Sequence, residues 1–202
     1  MSGWPGKYII GVTGNICVGK SEVCKILEDI GAQIVDADIV AHDVMKSCTT
    51  VFQDIVDAFG VRILNNSGEI DRKLLGKIVF SDKSSLKKLE SLLHPTIRAK
   101  IEETILHYNE GVIVVEAIKL LETGLSDHCD SVWVVNASSR KRLERLTKRD
   151  NINVEEANNR LHMQGSQALK LQRADVIIEN DGSLEATYAQ IWYEWGKIGL
   201  PK

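Results

Sequence analysis

The alternation of hydrophobic and polar positions along the chain predicts strands that alternate with helices. Five short runs have the apolar, often β-branched composition of buried strands, and they cover residues 8–12, 33–36, 111–117, 131–137 and 174–180. Most of the stretches between them carry apolar residues three or four positions apart, which is the spacing of an amphipathic helix. This order of elements indicates an α/β fold, a doubly wound parallel sheet of about five strands.

The stretch from residue 39 to 110, between the second and third predicted strands, is too long for a single crossover helix. Its helical spacing predicts a mostly helical insertion over the carboxyl ends of the strands, where substrates bind in such sheets. A helix is expected from Ile39 toward Lys46, and Asp71 is expected to cap another. Because proline disfavours α geometry in the residue before it, we expect one helix to end near His94 and another to begin at Pro95.

Composition and charge narrow the class of protein. The 202 residues are 44% hydrophobic and 26% charged with a net charge of −3, which is ordinary for a globular domain and gives no reason to expect nucleic acid or an acidic membrane as partner. The first residues contain no long apolar run, and the four cysteines show no metal-ligand spacing. We therefore expect a cytoplasmic domain with reduced thiols, monomeric or weakly oligomeric, and neither nucleic acid nor membrane as partner.

The strongest chemical signal lies between the first predicted strand and the helix after it. Residues 14–21 fit G-x-x-x-x-G-K-[ST], the loop that binds nucleoside triphosphate phosphates. Gly14 and Gly19 allow backbone N–H groups to face one concavity, Lys20 can reach the β- and γ-phosphates, and the Ser21 hydroxyl can ligate Mg²⁺. The remaining residues expected to border the nucleotide there are Asn15, Ile16, Cys17, Val18 and Glu22. A glycine-rich turn without a ligand is the weaker alternative, because the motif has the required strand and helix around it.

Two carboxylates stand at the ends of predicted strands. Asp38 follows the second strand and could accept the proton of an attacking hydroxyl. Taken by itself, however, an aspartate at this position is more typical of the N-cap of the helix predicted to begin at Ile39. Glu116 ends the third strand and could hold Mg²⁺ through water, or be a strand-end carboxylate without a ligand. The residues alone leave both choices open.

A basic run from residue 140 to 149 is predicted to form a helix. Arg142, Arg145 and Arg149 recur at three and four positions, so they share one helix face. Such a face suits a lid that neutralises the charge of a phosphoryl group in transfer, and it equally suits a solvated surface.

Several segments together resemble the family of dephospho-coenzyme A kinases. In chain order they are GVTGNICVGKSEV, VDADIVAHDV, LLHPTIRAKI, VVEAIKLLETGL, RLERLTKRD, RLHMQ and VIIENDGSLE, and they span nearly the whole chain. The resemblance implies a P-loop kinase that phosphorylates the ribose 3′-hydroxyl of dephospho-coenzyme A with ATP and Mg²⁺. It also implies one domain with three parts: a nucleotide core (about 7–38, 111–137 and 174–202), a helical substrate-binding region (about 39–110) and a lid (about 138–165).

Residues that match the family's motifs take the roles implied by the resemblance. On the nucleotide side, Lys20 and Ser21 match the phosphate and magnesium residues, and Asn180 with Gly182 match the loop expected to border adenine.

On the acceptor side, Asp38 matches the candidate catalytic base, which favours its functional interpretation, and His94 with Arg98 match a segment near the acceptor substrate. Arg145 and Arg149 match the arginines of the lid.

The phosphate loop departs from the family's usual G-G-I-G-S-G-K pattern at Asn15, Cys17 and Val18, and Glu22 stands where threonine is common. A β-branched valine would be costly at a positive φ angle. Lys119 replaces the usual proline after the third strand. These departures keep two other functions open: another small-molecule P-loop kinase, and a nucleotide-binding module with impaired catalysis.

Overall fold

A computed structural model describes residues 4–199 and contains one parallel five-stranded sheet. The strands are β1 (Lys7–Thr13), β2 (Gln33–Asp36), β3 (Gly111–Glu116), β4 (Ser131–Asn136) and β5 (Val176–Glu179), in the spatial order β2-β3-β1-β4-β5. Every neighbouring pair is parallel. The predicted doubly wound sheet is therefore confirmed.

Helices separate the strands. They are α1 (Lys20–Asp29), α2 (Ala37–Asp43), α3 (Thr50–Phe59), α4 (Arg72–Ser81), α5 (Lys83–His107), α6 (Ser139–Asp150), α7 (Val154–His162), α8 (Gln167–Leu171) and α9 (Leu184–Trp195), with short 3₁₀ turns at Val61–Ile63 and Leu125–His128. Asp71 caps α4, as predicted, because its carboxylate accepts from the N–H groups of Lys73 and Leu74. No helix within residues 4–199 has both the length and the apolar character needed to cross a membrane.

The chain divides into two compact units. Met1–Asp36 with Tyr108–Lys202 forms what we call the sheet unit, and Ala37–His107 forms the helical unit. The core of the sheet unit consists of strand residues such as Ile10, Val114 and Trp133, packed with Leu27 of α1 and Ile191 of α9. The central strands are buried along most of their length, as expected for a parallel sheet covered on both faces.

In the helical unit, α2, α3 and α4 pack against the long helix α5. The apolar core there includes Ile55 and Ile63, with Leu89 and Leu93 contributed by α5. The last residue of β2, Asp36, is followed directly by Ala37, the first residue of α2, so the chain passes from the sheet unit into the helical unit at this point.

The predicted break at Pro95 is wrong. Helix α5 runs without interruption from Lys83 to His107 and contains Pro95. A proline inside a helix removes one hydrogen bond and costs about 3 kcal/mol. Leu89 and Leu93 are buried before it, and Ile101 and Ile105 after it. Since each such side chain contributes roughly 1.5–3 kcal/mol on burial, packing both halves as one helix outweighs the cost of the proline.

The predicted start of α2 is also wrong. The helix begins at Ala37 instead of Ile39, so Asp38 lies in its first turn and is not the N-cap. An acidic residue in the first turn complements the positive end of the helix dipole. The side chain of Asp38 is exposed.

Candidate nucleotide site

Two glycines give the loop between β1 and α1 its shape. Gly14 has φ 149° and Gly19 has φ 98°, and residues other than glycine rarely adopt φ angles in this range. A Cβ at Gly14 would lie 2.6 Å from the carbonyl oxygen of Val135. A Cβ at Gly19 would overlap the side-chain nitrogen of Asn180. Both positions of the sequence motif thus require glycine for backbone angle and for space.

Helix α1 begins at Lys20, immediately after the loop, and its N-cap residue is Gly19. The Lys20 side chain is buried, whereas Ser21 and Glu22 are exposed in the same turn. The first N–H groups of a helix and its positive dipole end favour anions. The arrangement has the chemistry needed to receive phosphate groups.

The departures from the family's loop pattern have separate structural outcomes. Cys17 adopts φ 62° and occupies the left-handed conformation itself. Val18 does not have a positive φ angle, so the expectation of backbone strain at this residue is wrong. Val18 is instead fully buried in the core of the sheet unit. Hydrophobic packing explains valine at this position.

Arg145 and Asn180 hold the second half of the loop. The Nη1 atom of Arg145 donates to the carbonyl oxygens of Cys17 (3.2 Å) and Val18 (3.0 Å), and Nη2 donates to the carbonyl of Asn180 (2.7 Å). The Asn180 amide donates to the Val18 carbonyl at 2.8 Å and accepts from the Thr187 hydroxyl at 3.0 Å. These bonds connect the loop to α6 and to the segment before α9.

The basic face of α6 is divided between the loop and the surface. Arg142 is buried and its Nε donates to the carbonyl of Ile16 at 3.1 Å. For Arg142 and Arg145, the interpretation as a solvated face is therefore wrong. Arg149 is exposed and donates to Asp150 at 2.8 Å, a hydrogen bond that lowers the pKa of the Asp150 carboxyl. Gly182 lies on the surface just before α9.

Two glutamines that the sequence analysis did not single out hold the first half of the loop. Gln164 accepts from the Ile16 N–H at 2.7 Å, and Gln167 accepts from the Asn15 N–H at 3.0 Å. Gln167 also donates to the Val135 carbonyl at 2.9 Å. Gln164 is the last residue of the RLHMQ segment, but no local pattern in the sequence connects either glutamine with the loop.

Lys170 was missed for the same reason. Its side chain is 3% exposed, and its ammonium group donates to the Thr13 hydroxyl at 3.4 Å and to the Ile118 carbonyl. It also forms an ion pair with Glu122 at 3.3 Å. Lys170 therefore connects the end of β1, just before the P-loop, to the segment that follows β3.

Replacing Lys170 by methionine is expected to lower the free energy of unfolding by about 1–3 kcal/mol, because the hydrogen bonds from its ammonium group to the Thr13 hydroxyl and the Ile118 carbonyl are lost. Urea denaturation measures this change. The matched control is Glu122→Gln, which removes the charge of the half-exposed partner but keeps both hydrogen bonds of the Lys170 ammonium group, so it should cost less stability than the methionine variant. Equal effects of the two variants would contradict the role given to the buried donor.

Two acidic residues, Asp36 and Glu116, lie side by side at the carboxyl edge of the sheet. Glu116 is in register with Val12 of β1 and with Asp36 of β2. Burial raises the pKa of the Cys24 thiol well above its usual value, and the charge of Glu116 adds to this effect. Lys20 acts on the same thiol in the opposite direction. The P-loop lysine and the strand-end carboxylates thus surround one region.

This region fits a hard divalent cation. Carboxylate and hydroxyl oxygens, which Glu116 and Ser21 supply, are the ligands that Mg²⁺ prefers. Within residues 4–199 no group of three or more His, Cys, Asp or Glu side chains forms a complete metal site. Mg²⁺ usually binds through one or two protein oxygens together with substrate phosphates and water, so the residues present suit that mode.

The acceptor-side candidates lie in the helical unit. Asp38 is in α2, while His94 and Arg98 are one turn apart on α5. Helix α2 packs against α5, so all three residues belong to one packed pair of helices. His94 is half-buried and Arg98 is exposed.

Comparison with known proteins is consistent with this site. A family model described as dephospho-CoA kinase matches residues 8–186. The dephospho-CoA kinase of Moorella thermoacetica is 40% identical over 195 residues, covering 95% of this chain and 92% of that protein. The corresponding protein of Geobacter sulfurreducens is 40% identical over 192 residues, covering 94% and 98%. The structure of dephospho-CoA kinase from Campylobacter jejuni superposes with a TM-score of 0.70 at 32% identity, covering 95% of this chain and 96% of that one. The chain belongs to the dephospho-CoA kinase family.

Proposed function

We propose that the protein transfers the γ-phosphoryl group of ATP to the ribose 3′-hydroxyl of dephospho-coenzyme A, giving coenzyme A and ADP in the last step of coenzyme A synthesis. The observation that carries the proposal is the strand–loop–helix motif, in which Lys20 is buried and Arg145 and Asn180 hold the loop through the Val18 carbonyl. The family model matches the chain over residues 8–186. Phosphoryl transfer depends on positioning and on stabilising charge more than on covalent chemistry, and the site supplies both.

On the nucleotide side, the N–H groups of the loop and of the first turn of α1 bind the phosphates, and the Lys20 ammonium neutralises the β- and γ-oxygens. Ser21 and Glu116 would hold Mg²⁺, which supplies further neutralisation of the phosphate charge when bound. Asn180 and Gly182 border the adenine. The network of Arg145 and Asn180 supports this role, because it fixes the loop before any ligand arrives.

On the acceptor side, Asp38 accepts the proton of the attacking 3′-hydroxyl, and His94 with Arg98 bind the acceptor substrate. The exposure of Asp38 in the first turn of α2 supports this role, since a bound acceptor can reach an exposed carboxylate. Residues of about 39–110 form the substrate-binding region. Residues of about 138–165 form a lid, in which Arg145 and Arg149 act on the transferring phosphoryl group and water is excluded on closure.

Two alternatives make different predictions in an acceptor panel. ADP release from ATP is measured with dephospho-coenzyme A, shikimate and AMP as separate acceptors. The proposal expects ADP release to rise only with dephospho-coenzyme A. A rise with another acceptor would favour a different small-molecule kinase, because fold does not fix the acceptor. ATP binding without ADP release would favour a nucleotide-binding module. Location in the cytoplasm and a monomeric or weakly oligomeric state remain predictions.

A further inference from the structure

Arg142 differs from the other arginines of α6 in how its guanidinium group is satisfied. Its side chain is 8% exposed, and its Nε donates to the Ile16 carbonyl inside the phosphate loop. Its Nη2 atom is buried and has no hydrogen-bond partner within residues 4–199, where it is the one side-chain nitrogen or oxygen in that condition. A buried donor without a partner costs about as much as a lost hydrogen bond, so it calls for an explanation.

The neighbouring arginines have no buried nitrogen in this condition among residues 4–199. Arg145 uses both terminal nitrogens on backbone carbonyls, with distances from 2.7 to 3.2 Å. Arg149 uses its Nε and Nη2 on Asp150. Of the three residues that share the face of α6, Arg142 alone has a buried terminal nitrogen without an acceptor among residues 4–199.

The charge of Arg142 is also without a compensating anion. Burial lowers the pKa of its guanidinium group, and Cys17 is the one group in the described chain that acts in the opposite direction. No carboxylate of residues 4–199 contributes. A cation removed from water is costly unless an anion or several acceptors replace the lost hydration. At the wall of a phosphate-binding loop, the anion that meets this requirement is a phosphate group.

We propose that Arg142 is an anion-binding residue of the nucleotide site, with its Nη2 donating to a phosphate oxygen of the nucleoside triphosphate. The inference rests on the proposed nucleotide binding, but not on phosphoryl transfer. It adds Arg142 to the two arginines proposed to act on the phosphoryl group, Arg145 and Arg149, through a buried nitrogen that has no acceptor among residues 4–199. The competing interpretation is that Arg142 only fastens α6 to Ile16.

The test measures binding of three probes, without dephospho-coenzyme A, to the wild type and to Arg142→Gln. ATP and inorganic tripolyphosphate are titrated by calorimetry, and adenosine by ligand-observed NMR. A charge-assisted hydrogen bond to phosphate predicts affinities about 10- to 100-fold lower for ATP and tripolyphosphate, and unchanged affinity for adenosine. Arg142→Lys keeps the charge but not the planar fork, so an intermediate loss is expected. The control Arg140→Gln changes an exposed arginine on the same helix and should leave all three affinities unchanged.

Two outcomes would overturn the inference. Equal losses of ATP and tripolyphosphate affinity in Arg142→Lys and Arg142→Gln would mean that Arg142 only shapes the loop, because both variants lose the Nε–H that bonds to Ile16. Unchanged ATP and tripolyphosphate affinities in Arg142→Gln would mean that it binds no phosphate. Thermal unfolding of each variant confirms that the folded protein is being compared. Because the readout is binding alone, a protein that shows the expected losses yet transfers no phosphoryl group would contradict the proposed function and leave this inference standing.

Discussion

Replacing Asp38 by asparagine is expected to lower kcat by about 10²- to 10⁴-fold, the range that a general base contributes. Asparagine has nearly the same size but cannot accept the proton of the 3′-hydroxyl. ATP affinity should change little, since the hydrogen bonds that hold the phosphate loop come from residues of the sheet unit. Steady-state ADP release with dephospho-coenzyme A, together with calorimetric ATP titration, measures both quantities.

The control for this variant is Asp43→Asn. Asp43 is also an exposed acidic residue of α2, and it pairs with Lys46 at 2.6 Å on the surface. Losing an exposed ion pair changes stability little, so kcat should remain near that of the wild type. A kcat of Asp38→Asn within about twofold of the control would exclude Asp38 as the base in this mechanism.

Replacing Gly19 by alanine is expected to disable the phosphate loop. The new Cβ would overlap the amide nitrogen of Asn180 and lie 3.3 Å from its Cγ, while φ 98° is unfavourable for any side chain. Backbone strain costs roughly 1–2 kcal/mol, and displacement of the Asn180 amide from the Val18 carbonyl adds about 1–3 kcal/mol. Relief of this strain by movement of the loop would lower ATP affinity by about 100-fold, which calorimetry measures.

Gly31→Ala separates the two causes. Gly31 also has a positive φ of 112°, but a Cβ there would meet no heavy atom within 4 Å. This variant should lose stability through backbone strain, about 1–2 kcal/mol in urea denaturation, and keep its ATP affinity. If both variants bound ATP equally well, the contact between Gly19 and Asn180 would have no part in shaping the loop.

The local elements could be predicted from the sequence because their signals are local. The apolar run at residues 111–117 encodes a strand buried on both faces, and the structure places β3 at Gly111–Glu116. The P-loop could be found because its spacing reflects fixed backbone requirements, which Gly14 and Gly19 meet with positive φ angles. Asp71 was recognised as a cap because the interaction reaches only two and three residues along the chain.

Features that depend on distant contacts were not predictable in this way. Pro95 remains inside α5 because leucines and isoleucines on both sides of it are buried. Lys170 reaches Thr13, which lies 157 positions earlier in the chain, and no short pattern encodes that contact. The partition of the basic face, with Arg142 and Arg145 on the loop and Arg149 on the surface, likewise depends on how α6 packs.

The position of the transferred phosphoryl group tests the proposed reaction most directly. The protein is incubated with Mg²⁺, dephospho-coenzyme A and ATP labelled in its γ-phosphate. The products are then separated, and mass spectrometric fragmentation locates the labelled phosphate on each of them. The proposed reaction gives label in a new phosphate on the ribose 3′-oxygen, in a one-to-one ratio with ADP. Label recovered only as inorganic phosphate, on a different oxygen of the acceptor, or unchanged in ATP would contradict it.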